Sequence, residues 1–481
     1  MAPEVQINRY KIALDNREVK APRRNESAEK IRAIVISGIF SLILLAVIIF
    51  TLPLTVLSVS GLLVYASIVA LVIFLFVLLF RYFSILLMAY FYITKYTVQD
   101  KEGYFPFFSI IVPVYNEGKL LRDTIKSLLK LDYPSYELVV VNDGSTDDTA
   151  AVAEEFVGYQ QGHQSLIKIS LINKPNGGKS KALNAGIQYS EGDFVLCMDG
   201  DTKLSPNSLK LGIRHFMDPA VGAVAGNVKV ENRKNMMTDL QALEYIEGLN
   251  MPRSAQGFLR MVNIIPGPIG IFRKQALKDA GYYSSDTFAE DADLTLKILA
   301  KGWRVNYEPN AVAYTEAPVN LYQLLKQRYR WTRGILQAVR KHKKHIINPT
   351  INFNNTLILW SMFYESLIWP AMNIFANLFF IIVAVIYDFS SLVFFWWLGI
   401  MILDMMAALY CVAAEKEEFR LILYSFVYRL IFILIIDITK AMATVEEFLG
   451  IQMTWGKLER VGGGQGTSGS APIRPAAQPA K

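Results

Sequence analysis

Between residues 107 and 201, four strand-like apolar runs each end in a polar cluster. "FFSIIVPV" (107–114) runs into Asn116 and Glu117, and "YELVVVND" (136–143) ends on Asn142 and Asp143. "LIKISLIN" (166–173) leads to Asn173 and Lys174, and "GDFVLCMDGD" (192–201) ends on Asp199 and Asp201. Each is followed by a stretch that reads as a helix, such as "GKLLRDTIKSLLKL" or "GGKSKALNAGIQYS". Apolar strands alternating with helices imply βα units, an α/β fold and a mostly parallel sheet. In such sheets ligands sit beyond the carboxyl ends of the strands, where these polar clusters fall.

The remaining chain has a different texture. It is 481 residues long, 53% hydrophobic and only 19% charged, against about 25% charged in soluble domains. The excess is concentrated in runs. Ile34 to Leu57 carries no charge, and a second run from Leu62 passes Arg81 to Ile93. Each suffices for a helix of about 20 residues across a bilayer. Further runs fall at 356–386, 391–414 and 421–445, the first containing Pro370 and the last Arg429, Asp437 and Lys440. Charges at such depth face a cavity or a partner. The expected organisation is a basic cytoplasmic segment over 1–32, two transmembrane helices over 33–95 and a cytoplasmic domain over 96–318. Amphipathic interface helices (319–354) and about three transmembrane or interfacial helices (355–450) follow. A tail (451–481) closes the chain with a Gly/Ser/Pro/Ala-rich end.

The leader is too long, and its apolar core too extended, for a signal peptide. The net charge of +7 reads as positive-inside bias, not as nucleic-acid binding. Cys197 and Cys411 form no disulfide framework, and the four histidines lack metal-ligand spacing.

Several short stretches carry chemistry. Asp199 and Asp201 lie two apart at a strand end, so they share a face and suit a divalent cation bridging to phosphates. A plain Asp–Gly turn would use the same residues. In "NDGSTDDT" (142–149), Thr146 or Asp147 reads as a helix N-cap, which leaves Asp143 free for a ligand. Lys179 follows paired glycines before a helix and could meet a phosphate or simply face solvent. Glu290, Asp291 and Asp293 open a helical pattern, where acids complement the macrodipole; one of them could instead serve as a general base. In "LLKQRYRWTRG" (324–334), Gln327, Arg330 and Trp331 share one helix face, joining an amide, a phosphate-binding cation and a stacking ring. Lys326, Arg328 and Arg333 are expected only to hold this helix at the lipid surface.

"VPVYNEG", "VVVNDGS", "GKSKALN", "MDGDT", "AEDADLTLK" and "QRYRW", in this order over 112–331, resemble the processive family-2 glycosyltransferases. These are the membrane synthases of cellulose, chitin, hyaluronan and poly-N-acetylglucosamine. The resemblance implies a Rossmann-like nucleotide-sugar-binding domain inserted between transmembrane α-helices of the plasma membrane. It implies that Tyr115, Glu117 and Asp143 contact the uridine of a UDP-sugar, that Lys179, Asp199 and Arg330 serve its diphosphate, and that Asp201 binds Mg²⁺ or Mn²⁺. Asp291 would be the general base, and Gln327 and Trp331 would hold the growing polysaccharide. "PGPIGIFRKQAL" (266–277) resembles an acceptor-side loop with Gly267 beside the sugar. UDP-N-acetylglucosamine is the favoured donor. UDP-glucose, or one sugar added to a lipid carrier, are the alternatives, and a small membrane accessory subunit is a further partner. "TWGKLER" (454–460) resembles a gating segment. Three spans after the domain would, however, leave Trp455 outside the cell, so either one run is interfacial or re-entrant or the segment is not a gate.

Overall fold

The computed structural model describes residues 59–95, 103–344, 353–387 and 390–451. The basic leader, the first apolar run and the 454–460 segment lie outside these residues.

Helix α1 (Val59–Lys95) enters first. At 1.5 Å per residue its 37 residues extend about 55 Å, well beyond the ~30 Å of a bilayer core. Its last turns dock on the globular part, where Ala89 and Tyr92 are buried.

Nine strands then build one sheet: β1 (Phe108–Val114), β2 (Tyr136–Asn142), β3 (Gly158–Gln161), β4 (Leu166–Asn173), β5 (Phe194–Cys197), β6 (Lys203–Leu204), β7 (Val221–Val230), β8 (Gly270–Arg273) and β9 (Arg304–Thr315). Their spatial order is β3-β4-β2-β1-β5-β8-β7-β9-β6. All seven residues of β1 and of β2 are buried, because helices cover both faces and an unbroken apolar run is then stable. Helices α2 (Gly118–Leu128) and α3 (Lys179–Tyr189) belong to this cover.

The sheet is mixed, which corrects the expectation of a mostly parallel one. β4, β2, β1 and β5 run parallel, as do β7 and β9. β8 runs antiparallel to both β5 and β7, and the edge strands β3 and β6 are antiparallel to their neighbours. Apolar pattern reports that a segment is a buried strand. Direction is set by the connection, and the chain reaches β8 only after a long excursion through α4 (Met236–Glu244), a π-helical turn at Tyr245–Asn250 and α5 (Met251–Leu259).

Helices α6 (Glu290–Ala300) and α7 (Leu321–Lys341) flank β9 in sequence. Beyond them, α8 (Phe353–Phe363) continues through a π-turn at Tyr364–Ile368 into α9 (Trp369–Tyr387), with Pro370 just past that turn. Helix α10 (Ser390–Ala414) returns, and its end is held on the domain: Asn227 and Lys229 bond to Glu415 and Glu417 at 2.7 and 2.9 Å. Residues 353 to 414 therefore form an apolar hairpin whose two ends meet the sheet-bearing domain.

Among the described residues, two helical stretches are long and apolar enough to cross a membrane, Phe76–Thr94 and Phe419–Phe448. The second, which ends in α11 (Ile433–Phe448), is anchored on the domain at both ends. Arg420 reaches Asp239 at 3.5 Å, while Glu447 takes Arg333 at 2.7 Å. Both of its ends therefore meet the domain, at α4 and at α7. Residues 454–460, on which the side of the tail turns, lie outside the described residues.

Candidate active site

A cavity of about 240 Å³ opens beyond the carboxyl ends of the parallel strands. Lys179, Asp199, Asp201, Gly267, Asp291, Gln327, Arg330 and Trp331 all line it. These residues come from five separate stretches of chain, so the fold converges what the sequence spreads over about 150 positions.

The Lys179 ammonium is the hub. It lies 2.6 Å from Asp199 Oδ1 and 2.7 Å from Glu290 Oε1. Burial pulls its pKa down, but Asp199, Glu290 and Asp291 outweigh that and hold it well above the ordinary lysine range. Gly267 passes directly over the pair; a Cβ there would sit 2.9 Å from Lys179 Nζ and 3.3 Å from Asp199 Oδ2. Only a glycine leaves this approach open without displacing the pair.

Asp291 stands in the first turn of α6, next to Glu290. Burial and then the neighbouring Glu290 carboxylate push its pKa up to about 6, with Lys179 offsetting part of the rise. A carboxylate poised there is ionised at neutral pH, yet basic enough to take a proton.

Helix α7 confirms the spacing argument on one face and overturns it on another. Gln327, Arg330 and Trp331 do face one cavity. Arg328 and Arg333, however, are not at a lipid surface. Both are buried. Arg328 forms a forked pair with Glu244, its Nε lying 2.9 Å from Oε1. Its guanidinium stacks over the Trp331 ring at 4.3 Å, and it donates to Gln327 Oε1. Arg333 bonds to Glu447 at 2.7 Å and to the Ile451 carbonyl at 2.6 Å. The sign was readable: Leu324, Arg328, Thr332 and Leu336 recur every four residues and form a buried stripe. What the sequence could not supply was the acid partner, 84 positions away in α4.

Residues 106–334 match the family profile described as glycosyltransferase like family 2. A poly-beta-1,6-N-acetyl-D-glucosamine synthase of Staphylococcus epidermidis is 30% identical over 297 residues, covering 61% of this chain and 69% of that protein. The chain belongs to glycosyltransferase family 2. The Staphylococcus aureus synthase of the same name is 33% identical over 238 residues, 49% of this chain and 55% of that one. A mannosyltransferase from Pyrobaculum calidifontis, solved with GDP-mannose and Mn²⁺, superposes with a TM-score of 0.55 at 22% identity, over 78% of this chain and 98% of that one. That likeness identifies the mixed α/β sheet as a GT-A-like fold.

In this family-2 glycosyltransferase, Tyr115, Glu117 and Asp143 are not part of the cavity wall. They occupy the adjacent ends of β1 and β2. The Glu117 carboxyl packs over Gly200, between Asp199 and Asp201, leaving no room for a Cβ. Asp143 is not free, as its sequence context suggested. Its carboxylate accepts from the N–H groups of Gly177 and Gly178 at 3.0 and 2.7 Å and pairs with Lys174. It thereby fixes the glycine turn that launches α3 and Lys179.

The donor chemistry around Gly200 fits a hard divalent cation. Asp201 is buried at the cavity wall and Asp199 lies beside it. Among the described residues no group of three or more His, Cys, Asp or Glu forms a complete cage. Two carboxylates completed by substrate phosphates is the usual arrangement for Mg²⁺. Glu290, one of the three acids singled out with Asp291, also lines the cavity, as do Tyr245 and Arg253, which escaped the sequence reading. They lie on helices whose register with the site is a tertiary fact.

Proposed function

We propose that this enzyme polymerises a sugar from a UDP-sugar, with UDP-N-acetylglucosamine as donor, by single inverting displacements that build a β-linked chain. One observation carries the reading: Asp291, Lys179 and Asp199 share a single cavity with the Gln327–Trp331 face. The poly-N-acetylglucosamine synthases among its relatives support the choice of sugar.

Asp291 takes the proton from the acceptor hydroxyl as that oxygen attacks the anomeric carbon. Lys179 and Arg330 hold the diphosphate and oppose the charge that grows on it as the glycosidic bond breaks. Asp201, with Asp199 nearby, would hold Mg²⁺ or Mn²⁺, which neutralises charge on the leaving nucleotide when bound. Trp331 offers its ring to the terminal sugar, and Gln327 bonds a hydroxyl. Tyr115, Glu117 and Asp143, at the adjacent ends of β1 and β2, are assigned to the nucleoside end of the donor.

Helix α1 and the 353–414 hairpin are assigned to the membrane, with the catalytic domain on the cytoplasmic side. A second cavity of about 160 Å³ lies between these helices and the 419–448 stretch, lined by Arg81, Glu365, Trp369, Arg429 and Asp437. Glu244 and Leu249 also line it, and Leu249 lines the first cavity as well, so the two are neighbours. This adjacency supports a path for the polymer from the site toward the membrane region. Arg81 pairs with Glu365 at 2.9 Å, and Arg429 with Asp404 at 3.0 Å, so these charges are matched as apolar surroundings require.

Membranes carrying the enzyme, given Mg²⁺ and each radiolabelled UDP-sugar in turn, test this reading. Polymer from UDP-N-acetylglucosamine that a linkage-specific glycosidase degrades is the expected product. UDP and free monosaccharide alone would refute it, and polymer from UDP-glucose would replace the donor. Trp331→Ala is expected to cut long polymer at least tenfold; unchanged product length would favour addition of a single sugar.

The raised pKa of Asp291 sets a pH dependence. The base works only when ionised, so its protonation below about pH 6 removes activity. kcat/KM is expected to fall about tenfold per pH unit on that acid limb. A profile that stays flat down to pH 5 would assign the proton transfer to another group.

A further inference from the structure

Asp293 has no part in the mechanism above, yet it is the most completely buried acid near the site. Its side chain is 0% exposed. Placed in the first turn of α6, it would complement the helix macrodipole from the surface. The structure uses it otherwise. Its Oδ2 accepts from Lys341 Nζ at 2.9 Å, and its Oδ1 from His342 Nε2 at 3.0 Å. Lys297, on its own helix, approaches to 4.0 Å, and Asp286 shares Lys341 at 2.9 Å. Burial raises the Asp293 pKa, but His342 and Lys341 more than reverse this and bring it down to about 2. The carboxylate is therefore charged at every working pH.

Two further contacts join the same two segments. Gly334 of α7 lies so close to the backbone before α6 that a Cβ would come 2.5 Å from Ala289 N. Gln337 Oε1 accepts the Phe288 N–H at 3.1 Å. Positions 334, 337 and 341–342 thus each contact the segment 286–293. The other end of α7 carries Gln327, Arg330 and Trp331 into the cavity. From Trp331 to His342 the helix rises about 16 Å. It acts as a ruler, pinned at one end to the turn that bears Asp291 and presenting the sugar-binding face at the other.

We propose that Asp293 is a positioning residue: locked by Lys341 and His342, it sets Asp291 against the acceptor held on the Gln327–Trp331 face. This rests on the reading of Asp291 as the base. Asp293 itself touches neither donor nor acceptor.

The test uses the full chain in detergent or nanodiscs and follows sugar transfer and UDP release separately. A misplaced base should impair attack by the sugar hydroxyl more than attack by water, which needs no fixed acceptor. Asp293→Asn is expected to lower transfer about 30-fold. UDP release should fall much less, and the Kd for UDP should stay within about twofold. His342→Leu should act in the same direction, and His342→Gln, which keeps a donor to Asp293, should recover most of the loss. The histidine pair decides the matter if Asp293→Asn fails to fold. Equal losses in transfer and UDP release would make the role merely structural and overturn the proposal. So would a glutamine variant no better than leucine, or an Asp293→Asn enzyme within threefold of wild type. Asp291→Asn, run in parallel, separates the two readings: if it still transfers sugar, the assignment of the base fails, whatever Asp293 does.

Discussion

Asp291→Asn is expected to lower kcat by about 10³-fold, the scale of a lost general base, while the donor KM stays within about threefold. The substitution keeps the shape of the side chain and removes only its charge. Lys179 would still be flanked by Asp199 and Glu290 at 2.6 and 2.7 Å, so the diphosphate-facing cation would stay in place. Removing one of two adjacent acids also relieves repulsion, since Glu290 is among the causes that raise the Asp291 pKa. The variant should therefore melt no lower than the wild type, and the sharpest signature is this combination of intact stability and lost turnover. Initial rates with UDP-N-acetylglucosamine and a thermal melt, measured on one preparation, check it. Activity within tenfold of wild type would move the role to Glu290.

Arg328→Met is expected to do the opposite: damage the fold first and the chemistry through it. Methionine replaces the volume but leaves Glu244 without its forked partner. Breaking a buried pair on one side costs about 3 kcal/mol or more, because the remaining charge is stranded. Trp331 would also lose the guanidinium stacked on its ring at 4.3 Å, so polymer synthesis should fall even in molecules that remain folded. The double variant Arg328→Met with Glu244→Gln strands no charge and should recover much of the stability. It should not recover polymer length, because the cation over Trp331 is still missing. If the single and double variants melt at the same temperature, the ion pair does not hold α7 to α4.

Much of the site was legible because its signals are local. An acid two residues from another at a strand end, glycines before a helix, and an amide, a cation and a ring at helical spacing each follow from one element's geometry. All six residues singled out this way, Asp199, Asp201, Lys179, Gln327, Arg330 and Trp331, line one cavity. Misreadings arose where a residue's meaning depends on a distant partner. Arg328 and Arg333 looked like surface charge because Glu244 and Glu447 lie 84 and 114 positions away. Asp143 looked free because the N–H groups it accepts belong to the turn at 177–178. The mixed sheet was hidden for a related reason, since β8 pairs with strands far from it in sequence.

The sequence by itself determined the α/β class, the apolar helices and the chemical identity of the groups available, because periodicity and residue type need no partner to be read. Only the tertiary structure decided which charges are spent on holding α7 and which remain for substrate. It also decided that the last apolar stretch returns to the domain and that Asp293 faces His342. Those outcomes depend on pairings between elements remote in the chain, where burial makes an unmatched charge too costly to persist and so forces each one to a partner.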